Sequence, residues 1–250
     1  MGVFSGVNTW WMNTTSPGKN HAAQYAVIQD NLILNVDAAA IDSYGGSGTT
    51  WTDLSDSGNN VTLSSSGISY DSTDGGGSIV FDGSNGQGTS SIDITNMNGG
   101  GSLEIWCKIT DTTAYRHIGG WRGNDYQFYM LLLYDSGSME ARARDGSSVI
   151  DIVSSDYGTS FWANNWNHIV LTDSGSDNKT RFYLNGSLIG TSSNTVGNYS
   201  SYSSFELMKT AGLSSGTAAG KLSQVRLYSD TLSDSEVKYN YDAMKGRFGL

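Results

Sequence analysis

Glu104 is the carboxylate best placed for chemistry, in the stretch SLEIWCKI at residues 102–109. The stretch alternates as a strand does, with every second side chain on one face. The residues sharing that face are Trp106 and Lys108. Retaining hydrolysis of a glycosidic bond needs two carboxyl groups about 5–5.5 Å apart, and this strand supplies one. Glu104 is therefore expected to be a hydrogen-bonded structural residue. Two loops carry oxygen ligands of the kind calcium takes, Asp53, Asp56 and Asn59 in one and Asp173, Asp177 and Asn178 in the other. Neither follows the EF-hand pattern, and the same residue types build turns. Turn formation explains both loops without a metal, and a structural calcium on Asp53, Asp56, Asn59, Asp173 and Asp177 is the alternative use of the same residues.

Ser214 stands in a G-x-S-x-G string at Gly212–Gly216. A nucleophile elbow needs a strand-to-helix turn, whereas this string falls between strand candidates. His21, His117 and His168 lack metal-ligand spacing. Sugar recognition would use aromatic side chains beside polar ones in loops. The stretch offering this is Trp121, Arg122, Asn124 and Tyr126, followed by Trp162 with Asn164; the competing use of such aromatics is core or interface.

The elements that must position these residues are strands. From Trp166 to Gly186 two alternating arms flank an Asp/Ser/Gly/Asn turn, a long hairpin with Ile169 and Leu171 on one face and Val170 and Thr172 on the other. Further candidates are NLILNV from Asn31, GISY, SIVFDG, SSIDI, YRHIGGW, YQFYMLLLY, SMEARAR, SSVIDIV, FELM and GKLSQVRLY, the last with Leu222, Gln224, Arg226 and Tyr228 opposite Val225 and Leu227. One helix closes the chain at residues 233–245. Ser233 and Glu236 form a capping box, Val237, Tyr241 and Met244 repeat at helical spacing, and Gly246 suits its end.

The 32 glycines and single proline in 250 residues favour strands joined by flexible turns, in one large all-β domain. A net charge of −10 with scattered Lys and Arg repels nucleic acid phosphate, so no nucleic-acid partner is expected. Cys107 stands alone and forms no intrachain disulfide. The start of the chain has neither the basic region nor the apolar run of a signal peptide, and no apolar stretch is long enough to span a membrane, so synthesis in the cytoplasm without membrane association is expected. Residues 1–30 form an arm without periodicity that carries Phe4, Trp10 and Trp11, side chains suited to docking or oligomerisation. Phe248 and Leu250 at the other end are grouped with them.

The motifs LEIWCK, WNHIVLT and RFYLNG, closed by KLSQVRLYSDTLSDSEVKYNY, together resemble the laminin-G-like, concanavalin A-like jelly-roll family. The resemblance covers about Asn31 to Met244 and implies an antiparallel jelly-roll sandwich of two sheets over residues 31–250. Glycoside hydrolases of that superfamily carry an E-x-D-x-x-E strand, which Glu104, Trp106 and Lys108 do not reproduce. The brackets at positions 32–60 and 227–250 resemble the variant found in tailed-bacteriophage virion proteins. That implies a non-enzymatic structural protein on the capsid or tail, partnered by other virion proteins and by copies of itself. The alternative is a carbohydrate-binding adhesin for surface glycans, and a glycoside hydrolase ranks third.

Overall fold

The computed structural model describes residues 27–110, 116–122, 126–132, 139–145, 148–154, 159–192, 198–209 and 217–250. The arm residues Phe4, Trp10 and Trp11, with His21, Asn124 and the Ser214 string, lie outside them. In chain order the strands are β1 (Leu32–Asp37), β2 (Thr50–Trp51), β3 (Val61–Leu63), β4 (Ile68–Asp71), β5 (Ser78–Asp82), β6 (Gly88–Ser90), β7 (Gly100–Ile109) and β8 (Arg116–Arg122). They continue as β9 (Tyr126–Leu132), β10 (Met139–Asp145), β11 (Ser148–Ser154), β12 (Trp166–Ser174), β13 (Lys179–Leu184), β14 (Ser187–Ser192), β15 (Phe205–Leu207) and β16 (Ala219–Tyr228). A short helix α1 (Thr159–Trp162) precedes β12, and α2 (Asp234–Met244) follows β16.

The strands form two antiparallel sheets. One runs β14-β13-β12-β7-β16-β5-β4, with β1 also paired to β16; the other runs β11-β10-β9-β8-β15-β6-β3-β2. Between them lies the core: Leu103, Ile105, Ile169, Leu171 and Phe182 from the first sheet meet Ile118, Trp121, Phe128, Phe205 and Leu207 from the second. The hairpin at Trp166–Gly186 is β12 and β13, with Ile169 opposite Leu184, and β7 is central between β12 and β16. Cys107 sits in this core, where burial pushes its thiol up to about 12.

Three local features depart from simple alternation. The register of β16 slips between Leu222 and Gln224, a bulge that places Leu222 in the core with Val225 and Leu227 instead of on the face of Gln224 and Arg226. SSIDI is not a strand: Asp93 accepts a hydrogen bond from the Thr95 N–H at 2.9 Å and caps a 3-10 turn over Ile94–Met97. The closing helix does not stop at Gly246. It tightens into a 3-10 turn, Lys245–Phe248, which ends on Gly249 at φ 75°.

The capping box forms as the sequence suggests, the Ser233 hydroxyl accepting from the Glu236 N–H and the Glu236 carboxylate accepting from the Ser233 N–H. From there α2 lies across the outer face of the first sheet. Val237 packs with Val170, Tyr183 and Tyr228, and Met244 and Phe248 pack with Trp106 and Trp166. Val27 and Ile28, assigned to the arm by sequence, belong to this packing: Val27 is buried beside Trp106, and the Ile28 N–H donates to Asn240 Oδ1 at 2.9 Å. Among the described residues no helix is long and apolar enough to cross a membrane.

Candidate functional site

Beneath α2 the outer face of the first sheet is polar, because β7, β12 and β16 place Glu104, His168 and Arg226 side by side. Glu104 Oε1 accepts from His168 Nε2 at 2.9 Å and Arg226 Nη1 at 3.0 Å; Oε2 accepts from Asn240 Nδ2 at 2.8 Å and lies 3.3 Å from the Tyr228 hydroxyl. Burial pushes the Glu104 carboxyl up, but the Arg226 charge and the hydrogen bonds from His168 and Asn240 outweigh it and hold the group at about 2. An ionised carboxylate with both oxygens taken, roofed by a helix, is neither a general acid nor a reachable base. It is the structural residue the sequence suggests.

A second charged group borders this face. Asp74 accepts from Lys108 Nζ at 2.9 Å, Lys221 Nζ at 2.7 Å and Trp166 Nε1 at 2.7 Å, and Lys221 also reaches Asp71 at 2.8 Å. Lysines and aspartates are therefore paired with one another.

A concave surface lies elsewhere, between the loop Gly45–Thr49 and β4, the last strand in the order of the first sheet. It is a groove of about 310 Å³ whose lining includes Tyr44, Ile68, Tyr70, Ser47, Thr49 and Ser69. The Tyr44 and Tyr70 rings meet at 60° with centroids 5.6 Å apart. Both are pinned: the Tyr44 hydroxyl donates to Gly48 O at 3.1 Å and that of Tyr70 to Ala38 O at 3.1 Å. Burial raises the pKa of both hydroxyls, so they stay neutral. Gly46 has φ +90°, and a Cβ there would stand 3.3 Å from the Tyr70 ring, so glycine serves both the turn and the opening. The sequence reading missed this groove. Its signal was Tyr44 beside a Gly/Ser loop, but Tyr70 arrives from another strand and no spacing rule pairs them. A second depression, about 360 Å³, has hydroxyl and amide side chains such as Asn60, Thr62 and Ser203 and no aromatic ring.

Two of the aromatic residues singled out in the sequence for sugar contact prove to be buried. Trp121 is fully buried, its Nε1 donating to Ile92 O at 2.7 Å and its ring edge-on to Phe205 at 4.9 Å; Trp162 is fully buried as well. Both aromatics face the inner layer, so neither presents a ring to a sugar. Arg122 and Tyr126 lie on β8 and β9, but their side chains are outside the described set. Calcium does not fit the first loop. Asp53 accepts from the N–H groups of Asn35, Ser55 and Asn59 and from the Ser55 hydroxyl, at 2.7–2.9 Å, which fills both oxygens with donors and staples the loop to β1. Asn59 donates to Ile33 O at 2.8 Å, and Asp56 is exposed. Nor does it fit the second, where buried Asp173 accepts from the Thr180 hydroxyl at 2.9 Å while Asp177 pairs with Arg181 at the surface. Among the described residues no three His, Cys, Asp or Glu side chains group as metal ligands. Phe248 is buried rather than free for docking, and Leu250 is exposed.

The architecture is shared with solved structures. The binding domain of Paraclostridial Mosquitocidal Protein 1 superposes with TM-score 0.67 at 17% identity, over 86% of this chain and 52% of that one. A structure of botulinum neurotoxin type C, described as dependent for cell entry on interaction with two ganglioside molecules, gives 0.67 at 14%, over 87% and 52%. The binding domain of Botulinum Neurotoxin DC in complex with SialylT gives 0.65 at 14%, over 87% and 52%. At these identities the likeness is one of fold, and the chain spans about half the length of those structures. No curated protein matches the sequence. Residues 81–238, well over half of the chain, match the family model described as the concanavalin A-like lectin/glucanases superfamily, and the chain belongs to that family.

Proposed function

We propose that this domain is a non-enzymatic carbohydrate-binding module. The observation that carries the reading is the groove beside β4, a small concave site where the half-buried Tyr70 ring meets the exposed hydroxyls of Ser47, Ser65 and Ser69, on a fold of this family. The enclosure of Glu104, without a second carboxylate partner among the described residues, supports binding over hydrolysis, and the ganglioside interaction described for one fold neighbour and the SialylT complex of another support a sugar as ligand. On a glycan array the full chain should retain a defined set of saccharides and release no reducing sugar from them. An array with no signal at micromolar protein would sink the reading.

The sequence brackets at 32–60 and 227–250 favour a setting for this module, display on a bacteriophage capsid or tail as an oligomer, with the arm of Phe4, Trp10 and Trp11 docked on another virion protein. The brackets do structural work together, since β1 pairs with β16 and the chain after β16 covers their sheet. A deletion of residues 1–26, which spares Val27 and Ile28, should fold and still bind glycan yet fail to join particles. Normal incorporation of that deletion would refute arm-mediated docking.

A further inference from the structure

We infer that Asn85 is a site of spontaneous modification: of the three Asn–Gly steps in the chain, the fold leaves this one open to deamidation, and Asp82 sets its pace. The steps are Asn85–Gly86, Asn98–Gly99 and Asn185–Gly186. Glycine after asparagine is the reactive pairing, because no Cβ hinders the approach of the glycine nitrogen to the asparagine carboxamide. In sequence the three are equivalent. What separates them is how each carboxamide is held. Asn98 Nδ2 donates to Tyr199 O at 2.9 Å, and its Oδ1 accepts from the Tyr199 N–H. Asn185 lies in the left-handed region at φ 49° in the β13–β14 turn; its Oδ1 accepts from the His168 N–H at 2.9 Å and its Nδ2 donates to Asn167 Oδ1 at 3.3 Å. Neither can turn toward the next nitrogen without giving up both bonds.

Asn85 is exposed on the turn between β5 and β6, and its side chain makes no hydrogen bond among the described residues. Its restraint is on the backbone. Asp82 Oδ1 accepts from the N–H groups of Ser84, Asn85 and Gly86 at 2.8, 2.8 and 2.9 Å, so the attacking nitrogen is itself held in this clasp. The bonds from Gly86, Ser84 and Asn85 lower the pKa of the Asp82 carboxyl, which is an anion at neutral pH. A negative charge beside the Gly86 N–H opposes loss of the proton that the nitrogen must shed, and the three bonds fix the turn. The reaction therefore waits on opening of the clasp.

The chemistry balances with water alone. The Gly86 nitrogen attacks Cγ of Asn85, a C–N bond forms to close a succinimide ring, the carboxamide C–N bond breaks, and ammonia leaves carrying the proton shed by Gly86. Water then opens the ring at either carbonyl, leaving aspartate or isoaspartate at position 85, and nothing is oxidised or reduced. Either product adds a negative charge next to Asp82, and isoaspartate also lengthens the backbone by one methylene. The turn has no slack for that. A Cβ on Gly86 would stand 2.4 Å from Gly67 O, the Asp82 N–H donates to Gly67 O at 3.0 Å, and the Gln87 N–H donates to Ser64 Oγ at 3.1 Å. Ser64 borders the groove beside β4. Conversion at Asn85 thus loosens the loop that forms one side of that groove, whatever the groove binds.

The test is ageing of the full chain in warm, mildly alkaline buffer, followed by peptide mapping with mass spectrometry. Asn85 should convert several-fold faster than Asn98 and Asn185, with isoaspartate among the products. In concentrated urea, where the fold no longer selects, the three rates should converge. Asp82→Ala, at an exposed position, should speed conversion at Asn85 several-fold and leave the other two sites unchanged. Conversion of Asn98 or Asn185 ahead of Asn85 overturns the inference, as does an Asn85 that stays intact in the folded chain while the urea sample converts. An Asp82→Ala rate equal to the parent's overturns the role given to Asp82.

Discussion

Truncating Glu104 to alanine is expected to destabilise the domain by about 3–5 kcal/mol, because it strands a buried guanidinium. Arg226 is 1% exposed, and among the described residues the bond from its Nη1 to Glu104 is the sole side-chain hydrogen bond it makes, its Nε and Nη2 having no partner there. The same change removes the acceptor that ties His168 on β12 and Asn240 on α2 to β7. Chemical denaturation should show the loss as a lower midpoint with an unchanged slope, and thermal melting as a fall on the order of 10 °C. Replacing both partners with apolar residues, Glu104→Leu with Arg226→Met, should recover the part owed to the stranded charge, while His168 and Asn240 remain without their acceptor. A single variant within about 0.5 kcal/mol of the parent would show that Glu104 does not hold the charge.

Acid should reproduce the effect gradually, and its sign follows from the direction of the shift. The folded carboxyl of Glu104 is held at about 2 against an ordinary 4.5. A lowered folded pKa gives stability that is complete above the unfolded value and lost as pH falls through the folded one. The window therefore runs from about 4.5 down to about 2. Asp74, where burial raises the pKa and the bonds from Lys221, Trp166 and Lys108 lower it further, to about 2, adds to the same limb. In Glu104→Gln the acid limb should be shallower than in the parent.

How far such features could be read in the sequence depended on whether they were local. The hairpin β12-β13, the central strand β7 and the capping box of Ser233 and Glu236 each follow from a short pattern, and each forms. Alternation also separated Glu104, Trp106 and Lys108 from the core side chains of β7. It could not say what covers that face, and the cover comes from residues more than a hundred positions away. The bulge in β16 escaped for a related reason: Ser223 looks like any strand residue until its hydroxyl donates to Gly77 O, at 2.8 Å. At the candidate site the failure was one of pairing. Trp121 sits beside Arg122 in the sequence, which suggested a loop aromatic, whereas it faces inward on β8 and its polar atom is satisfied by Ile92. Tyr44 and Tyr70 carried no motif, and the sandwich alone brings them together.

The end of the chain gives the second large expected effect, and it separates two residues that the sequence had grouped. Phe248 lies flat on Trp106, with centroids 3.9 Å apart and planes at 9°, and leans on Trp166 at 4.9 Å. It is 8% exposed, whereas Leu250 is 48% exposed. Phe248→Ala should cost about 3–5 kcal/mol, the lost transfer energy plus a cavity that the rigid sheet beneath cannot close. Leu250→Ala should stay within about 0.5 kcal/mol. The loss at Phe248 should appear in the isolated domain, as a lower denaturation midpoint and altered near-ultraviolet dichroism from Trp106 and Trp166. If Phe248 served only to dock on a partner, the isolated domain would be unchanged and assembly alone would suffer. Because Gly75 passes so close beneath this cluster that a Cβ there would stand 2.6 Å from Trp166 and 3.1 Å from Phe248, the backbone has no slack with which to refill the space. Phe248 is thus expected to act as the keystone that holds the last turn of the chain on the sheet, leaving Leu250 as the apolar side chain at that end available to a partner.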